Sequence, residues 1–270
     1  MEWQNVNEFL EKVNESRFRV LNKTGSLKTG VDLGTAYIVI TVLDEQNQPA
    51  ACELKEAHVL RDGVVVDYIK ALEVVKELKE KLEKRLGRTL ENCAIAMPPG
   101  TADSVRTHCY VAEGAGFEVT KILEEPEAAN GVLKITEGAV ADIGGGTTGL
   151  ALFHQGRMIK TVDEPTGGDH LSLVLAGHYH ISFEEGEILK TDERKQDEIL
   201  PVVRPVLEKM ASIIRRHCEG HSIDRLYLCG GTSCLKGMEK IMEKETGIKT
   251  VKPQYPFLVT PAGIAINCPG

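Results

Sequence analysis

The chain has 270 residues, enough to bury a sizeable core as one large domain or as two linked domains. Its net charge of -8 argues against general binding to nucleic acid or to an anionic membrane surface. No apolar run is long enough to span a bilayer, and the N-terminus lacks the pattern of a signal peptide. The seven cysteines include no C-x-x-C pair, so we expect a cytoplasmic protein without a disulfide framework.

Residues 1–29 are predicted to form a separate N-terminal extension. Apolar residues share one helical face in this segment, and charged residues occupy the other: Val6, Phe9, Leu10 and Val13. The pattern predicts a short helix that packs on the body of the protein. The alternative is that this helix is a docking peptide for a partner.

Residues 29–43 predict a strand, a tight glycine turn and a second strand. Asp32, Gly34 and Thr35 lie at the turn, so its tip offers backbone N–H groups, one carboxylate and one hydroxyl. Alone, this D-x-G-T pattern is a weak signal, because Asp and Gly are the residues that turns use in any case.

A long helix is predicted to begin after Asp67 and to end at Gly87, with apolar residues at helical spacing between them. Its charged residues include the i,i+4 pair of Glu77 and Lys81, which indicates a solvated helix face. A buried strand is predicted at 93–97, where the chain is almost entirely apolar.

Two acids follow the next predicted strand, at 119–123. Glu124 and Glu125 precede Pro126, a residue suited to the first turn of a helix. The acids are therefore predicted at a strand end and a helix start. One interpretation is favourable charge at a helix N-terminus, and the other is a carboxylate that orients water.

The most informative stretch runs from Val140 to Gly149, where a short apolar run carries Asp142 into three consecutive glycines and two threonines. Glycines have no Cβ, so they let backbone N–H groups crowd a phosphate. The carboxylate before them lies where it could hold a cation on that phosphate. The stretch repeats the strand, Asp-x-Gly, strand pattern of residues 29–43. Two such hairpins, one from each half of the chain, are expected to face one phosphate group.

Two further glycine turns occur near the C-terminal half. Gly167 and Gly168 open a predicted helix, and glycines at a helix N-terminus suit anions. Gly230 and Gly231 follow a predicted strand and precede a helix predicted from about residue 235, which makes a backbone platform for a flat or anionic ligand.

The order of these motifs is more specific than any one of them. It runs D-x-G-T, E-E-P-x-A-A, D-x-G-G-G-T-T, G-G-T-S and P-A-G-x-A. This order resembles the ATPase domain of the actin, DnaK-type chaperone and sugar kinase superfamily, over residues 30–266. The short length and the stretch I-L-E-E-P-E-A-A-N-G resemble the EutJ group of ethanolamine utilisation proteins, which are chaperone-like and encoded with microcompartment genes.

The resemblance implies an α/β protein with the two-lobed actin-like ATPase (ribonuclease H-like) fold. Each lobe would be a mixed sheet flanked by helices, with the small subdomains reduced. Lobe I would comprise 30–139 with the C-terminal segment 256–270, and lobe II would comprise 140–255. A nucleotide would bind in the cleft between the lobes.

The resemblance also implies ATP and Mg²⁺ as cofactors. Asp32 and Asp142 would hold Mg²⁺, largely through its waters, and Glu125 would help to place the attacking water. These three are the predicted catalytic residues. The predicted nucleotide-binding residues are Gly34, Thr35, Gly144, Gly145, Gly146, Thr147, Gly167, Gly168, Glu187, Lys190, Gly230, Gly231 and Thr232.

The expected function is a nucleotide-driven switch: ATP binding closes the lobes, slow hydrolysis reopens them, and a partner protein senses the difference. The resemblance implies a partner from ethanolamine catabolism, such as the cobalamin-dependent ammonia-lyase or a microcompartment component, and a location in the cytoplasm or at a microcompartment. No nucleic-acid or membrane partner is expected. The alternatives are a non-hydrolysing actin-like scaffold or adaptor and, less favoured, a small-molecule kinase.

The chain departs from its relatives in three ways. Many chaperone and actin-like relatives carry an acid after the glycine run, where this chain has Gly149. No lysine matches the catalytic lysine of DnaK-type chaperones. The segment 41–61 is too short for the subdomain that actins insert after the first hairpin. These departures leave nucleotide binding well supported and turnover open.

Overall fold

A computed structural model of the chain describes residues 3–21, 24–61, 63–101 and 105–269. The chain forms two compact units, residues 1–134 with 253–270 and residues 135–252. Within the described residues, no helix is both long and apolar enough to cross a membrane.

Apart from the N-terminal helix, each half of the chain begins with a run of antiparallel strands and then continues with helices and single strands. The strands are β1 (Leu27–Leu33), β2 (Tyr37–Asp44), β3 (Pro49–Glu56), β4 (Leu60–Arg61), β5 (Val64–Val65), β6 (Asn92–Met97), β7 (Glu118–Glu124), β8 (Gly138–Ile143), β9 (Thr148–His154), β10 (Arg157–Glu164), β11 (Arg225–Cys229) and β12 (Lys249–Val251). The helices are α1 (Trp3–Glu15), α2 (Tyr68–Leu86), α3 (Val105–Gly114), α4 (Glu125–Leu133), α5 (Gly168–Tyr179), α6 (Phe183–Thr191), α7 (Gln196–Cys218), α8 (Met238–Thr246) and α9 (Val259–Asn267).

Each unit is built on one five-stranded mixed sheet, and the two sheets share one topology. The first has the order β3-β2-β1-β6-β7 and the second β10-β9-β8-β11-β12. In each, the first three strands are antiparallel neighbours and the last three are parallel. The internal repeat predicted from the two Asp-x-Gly segments is therefore confirmed at the level of the whole sheet.

The first sheet carries helices on both faces. Helices α2 and α3 bury large aliphatic side chains against one face. Helix α2 begins and ends where predicted, because the Asp67 side chain accepts a hydrogen bond from the Lys70 amide and Gly87 adopts φ 68°.

Helices α4 and α9 cover the other face of the first sheet through small residues. A Cβ at Gly263 would lie 1.8 Å from the Ala128 carbonyl oxygen, and one at Gly30 would lie 2.5 Å from the Ala265 nitrogen. Only glycine allows these backbones to approach so closely. The P-A-G-x-A motif thus serves close packing of α9, as its small residues predict.

Helix α1 is part of the first unit. Val6, Leu10 and Val13 are each at most 1% exposed. The segment after the helix bonds to the edge strand β3, through Leu21 N–H to Ala50 O (2.9 Å) and Cys52 N–H to Ser16 O (3.2 Å). The helix therefore packs on the body, as the first interpretation predicted. Residues 1, 2, 22 and 23 of the predicted extension lie outside the described residues.

The second sheet packs α5, α7 and α8 against one of its faces. Helix α7 contributes residues at helical spacing, Ile199, Val203, Leu207, Met210 and Ile214, all at most 1% exposed. One prediction about this unit is wrong in its boundary. Gly231–Cys234 form a single 3₁₀ turn, and α8 begins only at Met238, because Gly237 turns the chain with φ 80° before it.

Candidate functional site

The glycine run lies in a tight turn at the carboxyl end of β8. Asp142 is 6% exposed and pairs with Gly149 on the antiparallel strand β9. The Gly144 amide donates to Thr147 O at 3.0 Å, which closes the turn. In the first unit the Gly34 amide donates to Tyr37 O, also at 3.0 Å. The two hairpins therefore share one turn geometry, each two residues after its aspartate.

A second glycine loop, 166–169, is bonded directly to the first. The amides of Gly168 and Asp169 donate to Gly144 O (2.9 Å) and Gly145 O (2.8 Å). A Cβ at Gly167 would lie 2.3 Å from Gly145 O, so this approach requires glycine. These contacts place the N-terminus of α5, with its partial positive charge, beside the glycine run.

The third loop, 230–233, is hydrogen-bonded to the same carbonyl group, Gly144 O. The Thr232 hydroxyl donates to Gly144 O at 2.7 Å, so this carbonyl accepts hydrogen bonds from both neighbouring loops. Gly230 has φ +86°, and a Cβ there would lie 2.4 Å from Asp142 Oδ1. Strands β8 and β11 are parallel, so their carboxyl ends share one edge of the sheet. The three loops converge at that edge.

Helix α6 contributes an ion pair beside these loops. Lys190 Nζ lies 2.6 Å from Glu187 Oε2, and the two side chains are only 11% and 13% exposed. Lys190 also donates to Gly168 O at 3.2 Å. The Ser172 hydroxyl of α5 donates to Glu187 Oε2 at 2.6 Å. This network ties both predicted α6 residues to the N-terminal turn of α5.

Sequence reasoning missed Ser172. Its only local signal is its position four residues after Gly168, which places it on the same helical face. A close approach of α6 brings the two together, since a Cβ at Gly186 would lie 2.6 Å from Ser172 O. Serine at a helical position is commonplace, so the spacing alone does not single it out.

The predicted residues of the first unit lie at one edge of its sheet. Asp32 is near the end of β1, and Gly34 and Thr35 form the turn that follows. Glu124 ends β7 and Glu125 begins α4, as predicted. Strands β1, β6 and β7 are parallel, so these ends share the carboxyl edge. The expectation that the two hairpins face one phosphate group concerns both units, and it stays a prediction.

The loops of the second unit fit a phosphate and a hard cation. Their lining is backbone, and a Cβ at Gly168 would lie 2.4 Å from the Thr232 hydroxyl and 2.9 Å from Lys190 Nζ. A Cβ at Gly231 would meet nothing within 4 Å, so one side of its loop is open. Amide donors, a helix N-terminus and a carboxylate are the groups that bind a metal–phosphate pair.

Comparison with known proteins identifies similar chains. A family model described as "Type IV pilus assembly protein PilM" matches residues 105–257. The ethanolamine utilization protein EutJ of Escherichia coli is 42% identical over 237 residues, covering 87% of this chain and 84% of that protein.

Solved structures show the same fold. The crystal structure of EutJ from Carboxydothermus hydrogenoformans matches with a TM-score of 0.94 and 44% identity, covering 98% of this chain and 99% of that one. A PilM–PilN type IV pilus biogenesis complex matches with a TM-score of 0.75 at 15% identity, covering 91% and 98%. MreB5 of Spiroplasma citri bound to AMPPNP matches at 0.68 and 17%, covering 89% and 95%. These confirm the predicted actin-like ATPase fold.

Proposed function

The chain belongs to the EutJ family of ethanolamine utilization proteins, and we propose that it is an ATP- and Mg²⁺-dependent switch. Its residues 105–257 also match the PilM family model, whose solved relative has the same actin-like fold. In this proposal ATP binding changes the conformation of the protein, slow hydrolysis resets it, and a partner protein responds. The role is chaperone-like, in the sense that the nucleotide controls an interaction with another protein.

One observation carries the proposal: three glycine loops of the second unit are hydrogen-bonded to one another around Gly144 O. Close approach at Gly167, Gly168 and Gly230 excludes a side chain at each position. Such a backbone surface suits phosphoryl groups, because amide dipoles stabilise their charge without needing to reorganise. The Glu187–Lys190 pair beside Gly168 is proposed to contact the adenosine side of the nucleotide.

Asp142 is proposed to hold Mg²⁺, with Asp32 as a second carboxylate from the first hairpin. A cation held by these carboxylates would supply positive charge that offsets the charge of the phosphates. Glu125 is proposed to orient the attacking water. The glycine turns, with Thr35 and Thr147, are proposed to hold the phosphates in place.

Gly149 favours a second candidate, a non-hydrolysing scaffold. It lies directly opposite Asp142 on β9, where a carboxylate in this position would face the metal site. In this second case ATP would bind tightly and phosphate would not be released, even with a partner present. Phosphate release in single-turnover assays separates the two candidates.

The partner is proposed to be a protein of ethanolamine utilization, either the ammonia-lyase or a microcompartment component. The family name supports the pathway. The PilM–PilN complex shows that a protein of this fold can form a complex with another protein. A location at a microcompartment is part of the same proposal.

Calorimetry of ATP binding tests the proposed function. The wild type is expected to bind ATP more tightly with Mg²⁺ than in EDTA. Asp142→Asn preserves shape but removes the charge, so it is expected to lose most of this Mg²⁺ effect, about 10- to 100-fold. Asp224→Asn is the matched control, because Asp224 is exposed at the opposite end of the same sheet, before β11.

The same variants are then assayed for phosphate release. A wild-type protein that binds no ATP, with or without Mg²⁺, would refute the proposal. Equal Mg²⁺ effects in wild type and Asp142→Asn would show instead that the metal is held elsewhere.

A further inference from the structure

A row of residues crosses the second sheet in register with Asp142. Asp142 pairs with Gly149 on β9, and Gly149 pairs with Asp163 on β10. Residues that pair directly across strands present their side chains on the same face of a sheet. The neighbours Ile143, Leu150 and Val162 point to the opposite face, where they pack with the core under α5 and α7. Asp142 and Asp163 therefore share the other face, with Gly149 between them.

A β-bulge puts Asp163 in this row. Met158 pairs with Phe153, whereas Lys160 pairs with Leu152, so Ile159 is one extra residue on β10. If β10 continued in regular register, with Ile159 opposite Leu152, Val162 would stand opposite Gly149 and Asp163 would lie on the core face. Bulges are frequent at sheet edges beside functional sites, where they redirect side chains.

The spacing of the two carboxylates suits a hydrated cation. Neighbouring strands lie about 4.8 Å apart, so the backbones of Asp142 and Asp163 are roughly 9–10 Å apart across β9. Mg²⁺ holds its waters at about 2.1 Å, and each water reaches a carboxylate oxygen over about 2.7 Å. Side chains on one face of a sheet stand roughly perpendicular to it, so two carboxylates on backbones with this separation leave room for one hydrated ion. Gly149 contributes no side chain to occupy the gap.

We infer that Asp163 supplies a second carboxylate of the second unit to the proposed Mg²⁺–nucleotide site, in place of the side chain that Gly149 lacks. The inference rests on the proposed function and adds a residue to it. Asp163 acts on the hydration shell of the metal and so serves as a positioning residue. It also accounts for how a chain with Gly149 retains two acidic groups beside the glycine run.

Metal-dependent affinity tests this inference through a measurement that needs no turnover. The ratio of the ATP dissociation constants in EDTA and in Mg²⁺ is measured for wild type and Asp163→Asn. The variant is expected to lower this ratio about 10-fold or more, the usual effect of removing an outer-shell partner of a metal. Its affinity for ATP in EDTA is expected to stay equal or to rise, since one negative charge near the phosphates is gone. Mn²⁺ in place of Mg²⁺, followed by electron paramagnetic resonance, reports the weakened metal directly.

Glu164→Gln is the matched control, because Glu164 is the next residue of β10 and points to the opposite face, where it contacts His217. It is expected to leave the ratio unchanged. The double variant Asp163→Asn with Gly149→Asp, which moves the carboxylate to β9, is expected to recover part of the Mg²⁺ effect.

An Asp163→Asn protein with the wild-type ratio, measured while Asp142→Asn loses it, would overturn the inference and leave the proposed function standing. A wild-type protein without any affinity for ATP would overturn both.

Discussion

The absence of a side chain at Gly167 allows two loops to pack directly against each other. The Cα of Gly167 faces the backbone of Gly145 and Gly146, and an added Cβ would come within 2.3 Å of Gly145 O. Both partners are main chain, so neither can turn aside as a side chain would. The requirement for glycine thus follows from the contact between loops, and φ plays no part, since Gly167 is extended.

Gly167→Ala is therefore expected to destabilise the protein by about 1–3 kcal/mol and to weaken ATP binding, because the two loops must separate. Urea unfolding and calorimetry measure these effects. Gly177→Ala is the control within helix α5: a Cβ there meets nothing within 4 Å, and alanine favours a helix by up to about 1 kcal/mol. Equal changes in the free energy of unfolding for the two variants would show that the loop contact does not contribute to stability.

Glu77 illustrates a charge that matters only to stability. Its carboxylate accepts hydrogen bonds from Lys55 of β3 and Lys81 of α2, and these lower the pKa of Glu77 to about 2. Since this pKa lies below the ordinary 4.5, the stabilisation is present above pH 4.5 and is lost as pH falls toward 2. The side chain is 40% exposed, so its contribution is small and screened by salt.

Glu77→Gln is expected to lower the free energy of unfolding at pH 7 in low salt. The difference from wild type should shrink between pH 4.5 and 2 and should also shrink in high salt. Urea unfolding across this pH range gives the measurement, with Glu80→Gln as a control for loss of one charge on α2. A difference independent of pH would contradict the assigned cause.

At the level of elements, the burial of its apolar side chains holds helix α1 on the first unit. The apolar stripe of this helix is covered, and Arg85 of α2 links the residue after it to β3, donating to Ser16 O at 2.7 Å and to Cys52 O of β3 at 3.0 Å. Charged hydrogen bonds of this kind are stronger than neutral ones. The helix is therefore part of the structural core of the first unit.

Leu10→Ala is expected to cost about 2–5 kcal/mol, because Leu10 is fully buried and its removal leaves a cavity. Thermal or urea unfolding measures the loss. Glu11→Ala, at the adjacent exposed position, should change stability little. A Leu10→Ala protein as stable as wild type would show that α1 detaches in solution, as a docking peptide would.

At the scale of the whole molecule, one topology is used twice. Each sheet places an Asp-x-Gly hairpin and the ends of its parallel strands at one edge. The units differ in what surrounds that edge: glycine loops and an ion pair in the second, and Glu125 at the start of α4 in the first. This difference fits the proposed division between phosphate binding and water placement.

ATP with Mg²⁺ is expected to stabilise the protein by about 2.7 kcal/mol at a ligand concentration 100 times the dissociation constant. Thermal unfolding at several ATP concentrations measures the increase. Hydrogen exchange should show added protection at 144–147, 166–169 and 230–233. Stabilisation of Asp142→Asn equal to that of wild type would contradict the assignment of the metal.

The local features of this protein were predictable from its sequence, because backbone geometry demands particular residues. Glycine turns, the Asp67 cap and the repeated Asp-x-Gly pattern depend on neighbours along the chain, and their order was enough to identify the fold. Family resemblance, rather than local chemistry, supplied the expectation of ATP and Mg²⁺.

Contacts between distant segments were decided only by the tertiary structure. No local pattern shows that Ser172 meets Glu187, or that Gly144 O accepts from two loops. The bulge at Ile159 is the clearest case. Side chains alternate along a strand, and the bulge shifts the pairing of β10 with β9 by one residue, so Asp163 lies on the face of Asp142 instead of the core face. The sequence contains Ile159, but only pairing with β9 shows that it is the extra residue.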